Sequence, residues 1–223
     1  MAAAQRQSHL HLGAAPKPAL AGLLLQKKSR IAAERDPHKR AAFTEAIKQV
    51  DPKDLVFLDE CGFSLALHLL YGWGPMKERL VEAVPAQRGV NLSVLGAFDA
   101  EGMVAITSKE GAMKRVDVEA FLREDLLPRL LPGSVLVLDN ARVHHGGDIE
   151  KIALEAGCSL LYLPPYSPDF SPIELAWGWI KRFARRLCPR DAISREAAVE
   201  KAVASLPAEF ATGWFSKCGY SLC

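Results

Sequence analysis

The sequence lacks the cysteine spacing of a disulfide framework or a zinc site. Its five cysteines are odd in number and scattered, with no C-x-x-C pair and no Cys/His pattern: Cys61, Cys158, Cys188, Cys218 and Cys223. Disulfide-rich domains and zinc sites normally show an even count or short regular spacings. The pattern therefore argues against both and fits a reducing cytoplasm.

Long apolar runs are missing as well. No segment approaches the roughly 18 apolar residues that a membrane-spanning helix needs. The stretch PALAGLLL near the N-terminus is followed by QKKSR and not by the small residues of a signal-peptide cleavage site. We therefore expect neither a secretory signal nor a membrane partner.

A strong net charge is absent too, so the distribution of charge is more informative than its sum. The formal net charge of +2 is too small to indicate a nucleic-acid partner. Residues 1–33 contain five basic residues and no acid, which predicts a poorly ordered basic arm. Asp36 then suits a helix N-cap with Pro37 at the first helical position, and this helix should end before DPKD at 51–54.

The remaining pattern predicts an α/β fold. The order is three strands and then helix, strand, helix, strand, helix, starting with LVFLDE at 55–60 and including a hairpin that turns at DAEG, 99–102. We also expect a strand in KERLVEAVPAQ, 77–87. Early strands can pair antiparallel and later ones need parallel crossovers, so a mixed central sheet with helices on both faces follows. After this sheet, residues 191–223 should form a helix and a tail.

Two aspartates end predicted strands that can lie side by side at the centre of the sheet. Asp59 ends the first strand and Asp139 ends VLVLD. Open α/β sheets collect functional side chains at such strand ends. Adjacent carboxylates repel unless a cation lies between them, and Mg²⁺ prefers oxygen ligands. Each acid alone also suits an ordinary turn or cap, so the spacing leaves both interpretations open.

Glu174 has two interpretations of the same kind. Ser171, Pro172 and Glu174 match a capping box, with Ser171 as the N-cap. The helix that follows places an apolar stripe toward the sheet (Ile173, Trp177, Ile180, Ala184 and Leu187) and a second face with Glu174, Gly178, Lys181, Arg182 and Arg185. A carboxylate beside a basic stripe suits a helix that lies along a phosphate backbone, although a solvated cationic face is the plain alternative.

Three segments together resemble the catalytic domain of DDE transposases of the mariner superfamily, in its bacterial insertion-sequence branch. They are VFLDECGF, VLVLDNARVHHG and LYLPPYSPDFSPIELAWGWIKR, and 34 residues separate Asp139 from Glu174, as in that branch. The resemblance covers about residues 53–190, so we divide the chain into an N-terminal arm and helix (1–50), a DDE catalytic domain (51–190) and a C-terminal helix and tail (191–223).

The resemblance implies an RNase H-like fold and a divalent-metal triad of Asp59, Asp139 and Glu174 that binds Mg²⁺ or Mn²⁺. The implied activity is cleavage of double-stranded DNA at transposon ends and joining of the freed 3′-hydroxyl to target DNA, typically at TA. It also implies a nucleoid-associated protein of the bacterial cytoplasm. Family members usually carry helix-turn-helix domains ahead of the core. This chain resembles the catalytic half of a split or truncated element, which would need a separate helix-turn-helix chain or a homodimer.

Several nearby residues have weaker assignments. Lys181, Arg182 and Arg185 are candidate DNA contacts. Asn140 and His144 are candidates for supporting the metal site, although an ordinary loop histidine is the simpler outcome for both His144 and His145. Glu60 should point to the opposite face from Asp59.

The tryptophans and the overall activity also have alternatives. Trp73 and Trp179 could stack on bases, whereas Trp177 suits core packing. Two other functions remain open: a catalytically silent DNA-binding relic, and an RNase H-like nuclease that does not transpose.

Overall fold

The computed structural model of the chain describes residues 31–66, 71–84, 86–87, 89–140, 144 and 148–222. The strands are β1 (Leu55–Phe63), β2 (Leu92–Phe98), β3 (Met103–Glu110), β4 (Val135–Leu138) and β5 (Ser159–Tyr162). The helices are α1 (Pro37–Ile47), α2 (Arg115–Ala120), α3 (Ile149–Glu155), α4 (Pro172–Arg186), α5 (Ala192–Ala204) and α6 (Glu209–Lys217). A π-helical stretch (Phe121–Leu126) and a 3₁₀ turn (Leu127–Arg129) continue α2. The basic arm predicted at the N-terminus lies almost entirely outside the described residues.

The five strands form one mixed sheet in the order β3-β2-β1-β4-β5. The pairs β1–β2 and β2–β3 are antiparallel, and β4 is parallel to both β1 and β5. The β2–β3 hairpin turns at Asp99, whose carboxylate accepts hydrogen bonds from the backbone N–H groups of Glu101 and Gly102. The predicted hairpin, the adjacency of β1 and β4, and the mixed sheet are confirmed.

Two apolar cores cover the two faces of the sheet, because side chains alternate along a strand. On one face, Phe57 and Phe63 of β1 pack with α4, α5 and α6. On the other face, Val56 and Leu58 pack with α2 and α3. The prediction of helices on both faces is confirmed. Asp59 and Glu60 follow Leu58 and therefore project to opposite faces, as predicted.

The strand predicted within residues 77–87 is wrong. Residues 71–84 and 86–87 contain no strand. Leu80 and Val81 are 53% and 85% exposed. Because adjacent strand residues point to opposite faces, these two apolar neighbours surrounded by charges cannot together supply one buried face.

Both ends of the described chain pack onto the core. Asp36 caps α1 by accepting from the N–H groups of His38 and Lys39, as predicted. The predicted C-terminal helix is confirmed as α5, whereas α6 was expected as an irregular tail. Buried Phe215 in α6 contacts Phe57 edge to face, and this tertiary contact favours the helix despite Gly213. Within the described residues, no helix has the length and apolar character needed to cross a membrane.

Candidate active site

The three predicted acids come from three separate elements and line one pocket of about 570 Å³. The parallel register pairs Leu58 with Leu138, so Asp59 and Asp139 follow paired residues on neighbouring strands. Glu174 lies in the first turn of α4, which packs against β1. The sheet register and the packing of α4 against β1 therefore bring Asp59, Asp139 and Glu174 together in one pocket.

Asp59 is mostly buried and surrounded by other acids. Burial raises its pKa, and the negative charges of Glu174, Asp139 and Glu60 add to the effect, so the pKa rises from 3.8 to about 7. Its Oδ2 accepts a hydrogen bond of 3.1 Å from the indole N–H of Trp177. Asp59 is thus a carboxylate whose ionisation at neutral pH is opposed by its surroundings and favoured by any nearby cation.

Asp139 contacts a buried histidine. His144 is 1% exposed, and its Nδ1 lies 2.7 Å from Asp139 Oδ1. Its Nε2 lies 3.4 Å from Glu60 Oε1. Burial alone would lower the pKa of His144, but hydrogen bonding and charge from Asp139 and Glu60 raise it to about 10. The imidazole of His144 therefore lies between Asp139 and Glu60, whose carboxylate is on the other face of β1 from Asp59. The supporting role of His144 stays a prediction.

Glu174 does not form the predicted capping box. Ser171 is the N-cap residue and Pro172 is at the first helical position, but no side-chain capping hydrogen bond forms. The Glu174 side chain lines the pocket instead. Burial raises the pKa of Glu174, nearby Lys181 lowers it, and Asp139 raises it further, with a net upward shift.

The opposite wall of the pocket is formed by the loop between β5 and α4. Asn140 donates its side-chain amide to the carbonyl of Leu163 at the start of this loop. Asp169 in the same loop forms ion pairs with Arg35 and Arg40 near α1, and Arg40 lies 3.9 Å from the centroid of the Phe170 ring. Asn140 therefore supports the pocket wall, and the N-terminal helix fixes the loop that leads into α4.

The residues present fit a divalent cation by their chemistry. Three carboxylates supply the oxygen ligands that Mg²⁺ and Mn²⁺ take, and the raised pKa of Asp59 reflects burial first and then repulsion by its acidic neighbours, both of which a cation would offset. Among the described residues, no three His, Cys, Asp or Glu side chains are already grouped closely enough to hold a metal ion. The three acids thus line one pocket, but their side chains are further apart than the ligands of a bound metal ion would be.

A family profile described as "DDE superfamily endonuclease" matches residues 54–194. The chain belongs to this family. The match covers more than half of the chain and includes Asp59, Asp139 and Glu174. No curated protein is significantly similar in sequence to this DDE domain.

Solved structures of Mos1 mariner transposase share the fold of this DDE domain. The Mos1 paired-end complex with Mg has a TM-score of 0.68 at 14% identity over 88% of this chain, and the paired-end complex with the left transposon end has 0.65 at 14% over 89%. This chain covers 64% of each of those Mos1 chains. It covers 92% of the isolated Mos1 catalytic domain, with a TM-score of 0.57 and 14% identity over 86% of this chain. The likeness shows an RNase H-like DDE fold.

The predicted DNA contacts on α4 separate into two groups. Lys181 is half-buried, its Nζ lies 5.8 Å from the centroid of the Phe63 ring, and its charge acts on Glu174. Arg182 lines a different small groove, together with Arg186 and the stacked rings of Trp179 and Phe183. Arg185, one turn after Lys181, is half-buried. Residues 181 and 182 diverge because successive helical residues are about 100° apart.

Other expectations have mixed outcomes. Trp177 packs in the core as predicted, at 2% exposure, whereas Trp73 is fully exposed. Leu187, expected in the apolar stripe, is 39% exposed because α4 ends at Arg186. His145 lies outside the described residues. The pairing of Glu60 with His144 and the indole bond to Asp59 were not predicted, since both depend on which side chains meet across the sheet.

Proposed function

We propose that this DDE domain is the catalytic domain of a transposase that cleaves DNA strands and transfers them in a metal-dependent reaction. The observation that supports it most strongly is the convergence of Asp59, Asp139 and Glu174 in one pocket, with the pKa of Asp59 raised to about 7 by burial and by its acidic neighbours. Such a cluster is unfavourable without a cation and suits phosphoryl-transfer chemistry with one.

Asp59, Asp139 and Glu174 would hold Mg²⁺ or Mn²⁺. When bound, the metal supplies charge neutralisation at the scissile phosphate and lowers the pKa of an attacking water or hydroxyl. His144 restrains Asp139 through its bond to Oδ1, and Asn140 holds the Leu163 carbonyl at the edge of the pocket. The supporting roles expected for His144 and Asn140 are part of this proposal.

Double-stranded DNA is the proposed substrate, both as insertion-sequence ends and as target. Lys181, whose charge acts on Glu174, would contact a phosphate next to the scissile bond, and Arg185, one turn further along the same face of α4, would contact the backbone beyond it. Arg182 would contact a more distant phosphate, since it faces the groove with Trp179. Mos1 relatives of the same fold were solved with transposon-end DNA and with Mg or Mn.

We also propose a branch of the family, a cellular location and a means of recognising the DNA ends. The spacing of 34 residues between Asp139 and Glu174 favours the bacterial insertion-sequence branch, hence a nucleoid-associated protein of the bacterial cytoplasm. Recognition of specific ends would come from a separate helix-turn-helix chain or from a homodimer. The two competing functions, a silent DNA-binding relic and a nuclease that does not transpose, make different predictions.

Metal-dependent nicking of duplex DNA separates the relic from the enzymes. We expect nicking with Mg²⁺ or Mn²⁺ that falls more than about 100-fold in Asp139→Ala, because a ligand to the metal is lost. Asp54→Ala, at an exposed acid before β1, is the matched control and should nick normally. DNA binding without any nicking would favour the relic. Joining of a precut 3′-hydroxyl end into a TA-containing target would then separate the transposase from the simple nuclease.

A further inference from the structure

The helix that carries Glu174 also contacts Asp59 directly. Trp177 lies three residues after Glu174 in α4 and faces the sheet, where it is 2% exposed. Its indole N–H donates to Asp59 Oδ2 at 3.1 Å. One side chain of α4 therefore links the position of the helix to the orientation of the carboxylate on β1.

The strand next to β1 leaves room for this contact. Gly96 of β2 is paired directly with Asp59. A Cβ added at Gly96 would lie 2.8 Å from Cη2 and 3.0 Å from Cζ2 of the Trp177 ring. Real Cβ atoms essentially never approach so closely, and the ring is 2% exposed, so other core side chains would have to move with it. The missing side chain at Gly96 is thus what allows the indole to lie across β2 and reach Asp59.

We infer that Trp177 is a positioning residue that fixes Asp59 for metal binding. Gly96 leaves the space that the Trp177 ring occupies. The inference rests on the proposed function. The indole bond to Oδ2 restrains rotation of the carboxylate, so the Asp59 oxygens would keep a fixed direction toward a metal. Groups that orient metal-binding carboxylates by hydrogen bonds typically account for about 10- to 100-fold in metal affinity.

The test is Mn²⁺ affinity measured by calorimetry and by electron paramagnetic resonance on the full chain. Trp177 is replaced by benzothienylalanine, in which sulfur takes the place of the indole N–H and the shape is kept. We expect Mn²⁺ binding to weaken about tenfold or more. Trp214→Phe is the control, because Trp214 packs in the same core against Phe98 and contacts no acid of the site in the described structure. Its Mn²⁺ affinity should not change.

A second variant tests the role of Gly96 independently. Gly96→Ala keeps Trp177 but displaces its ring, so Mn²⁺ affinity should again fall about tenfold. Trp177→Phe removes the atoms that would clash, so Gly96→Ala should destabilise the Phe variant less than it destabilises the wild type. Unchanged Mn²⁺ affinity in the benzothienylalanine protein overturns the positioning role. Absence of Mn²⁺ binding in the wild type overturns the metal site itself, and with it the proposed function.

Discussion

Replacing Asp59 with Asn should stabilise the metal-free protein at neutral and alkaline pH. Asp59 is buried beside Glu174 and Asp139, and its pKa is raised to about 7. The folded state therefore holds a proton that the unfolded state releases near pH 3.8. Asn keeps an oxygen acceptor for the indole of Trp177 and removes the charge.

The sign and size of this effect on the free energy of unfolding follow from the linkage between proton binding and folding. The pKa of Asp59 is higher in the folded state than in the unfolded state. The free energy of unfolding of the wild type therefore falls as pH rises from about 4 to about 7. A tenfold change in the proton equilibrium is about 1.4 kcal/mol, so the full difference is on the order of 4 kcal/mol. Since neighbouring side chains relax, we expect Asp59→Asn to raise the free energy of unfolding at pH 8 by about 2 to 4 kcal/mol.

Urea denaturation in EDTA between pH 4 and pH 8 measures this effect. The difference between Asp59→Asn and wild type should be near zero at pH 4 and largest at pH 8. Asp54→Asn, at an exposed acid just before β1, is the control and should follow the wild type. Added Mg²⁺ should stabilise the wild type and leave the variant unchanged. If the variant were no more stable than the wild type at pH 8, the proposed crowding of carboxylates would be refuted.

Two further substitutions test the supports of the pocket. His144→Asn should lower the free energy of unfolding by only about 1 to 2 kcal/mol at pH 6, because the Asp139 carboxylate that loses its partner is 47% exposed. Since the pKa of His144 is raised to about 10, this difference should shrink as pH rises from about 6.5 toward 10 in urea titrations, and a constant difference would contradict an ionic role. Asp169→Asn should cost only about 1 kcal/mol, because the pair with Arg40 is partly exposed, yet it should speed amide hydrogen exchange in the loop before α4, with no change there as the contrary result.

Much of the fold follows from local patterns in the sequence. The hairpin at Asp99 and the cap at Asp36 form through contacts between near neighbours in the chain, which short segments encode. The described residues of the segment at 77–87 form no strand, and the charges around Leu80 and Val81 are the local reason. The α6 helix depends on the packing of Phe215, a long-range contact that helix propensity does not report.

Local sequence patterns were enough to identify the candidate acids and the order of strands and helices along the chain. Asp59 and Asp139 follow apolar runs and Glu174 opens a helix, and these are local facts. The expectation that Asp59 ends its strand is wrong, because pairing with β2 extends β1 to Phe63. Long-range packing places Glu174 in the pocket with the other acids and not in a capping bond, and it brings Trp177 and His144 against two of the carboxylates. Sheet register and helix packing set which side chains meet, and these depend on contacts between residues far apart in the chain, such as Asp59 and Trp177, which are 118 positions apart.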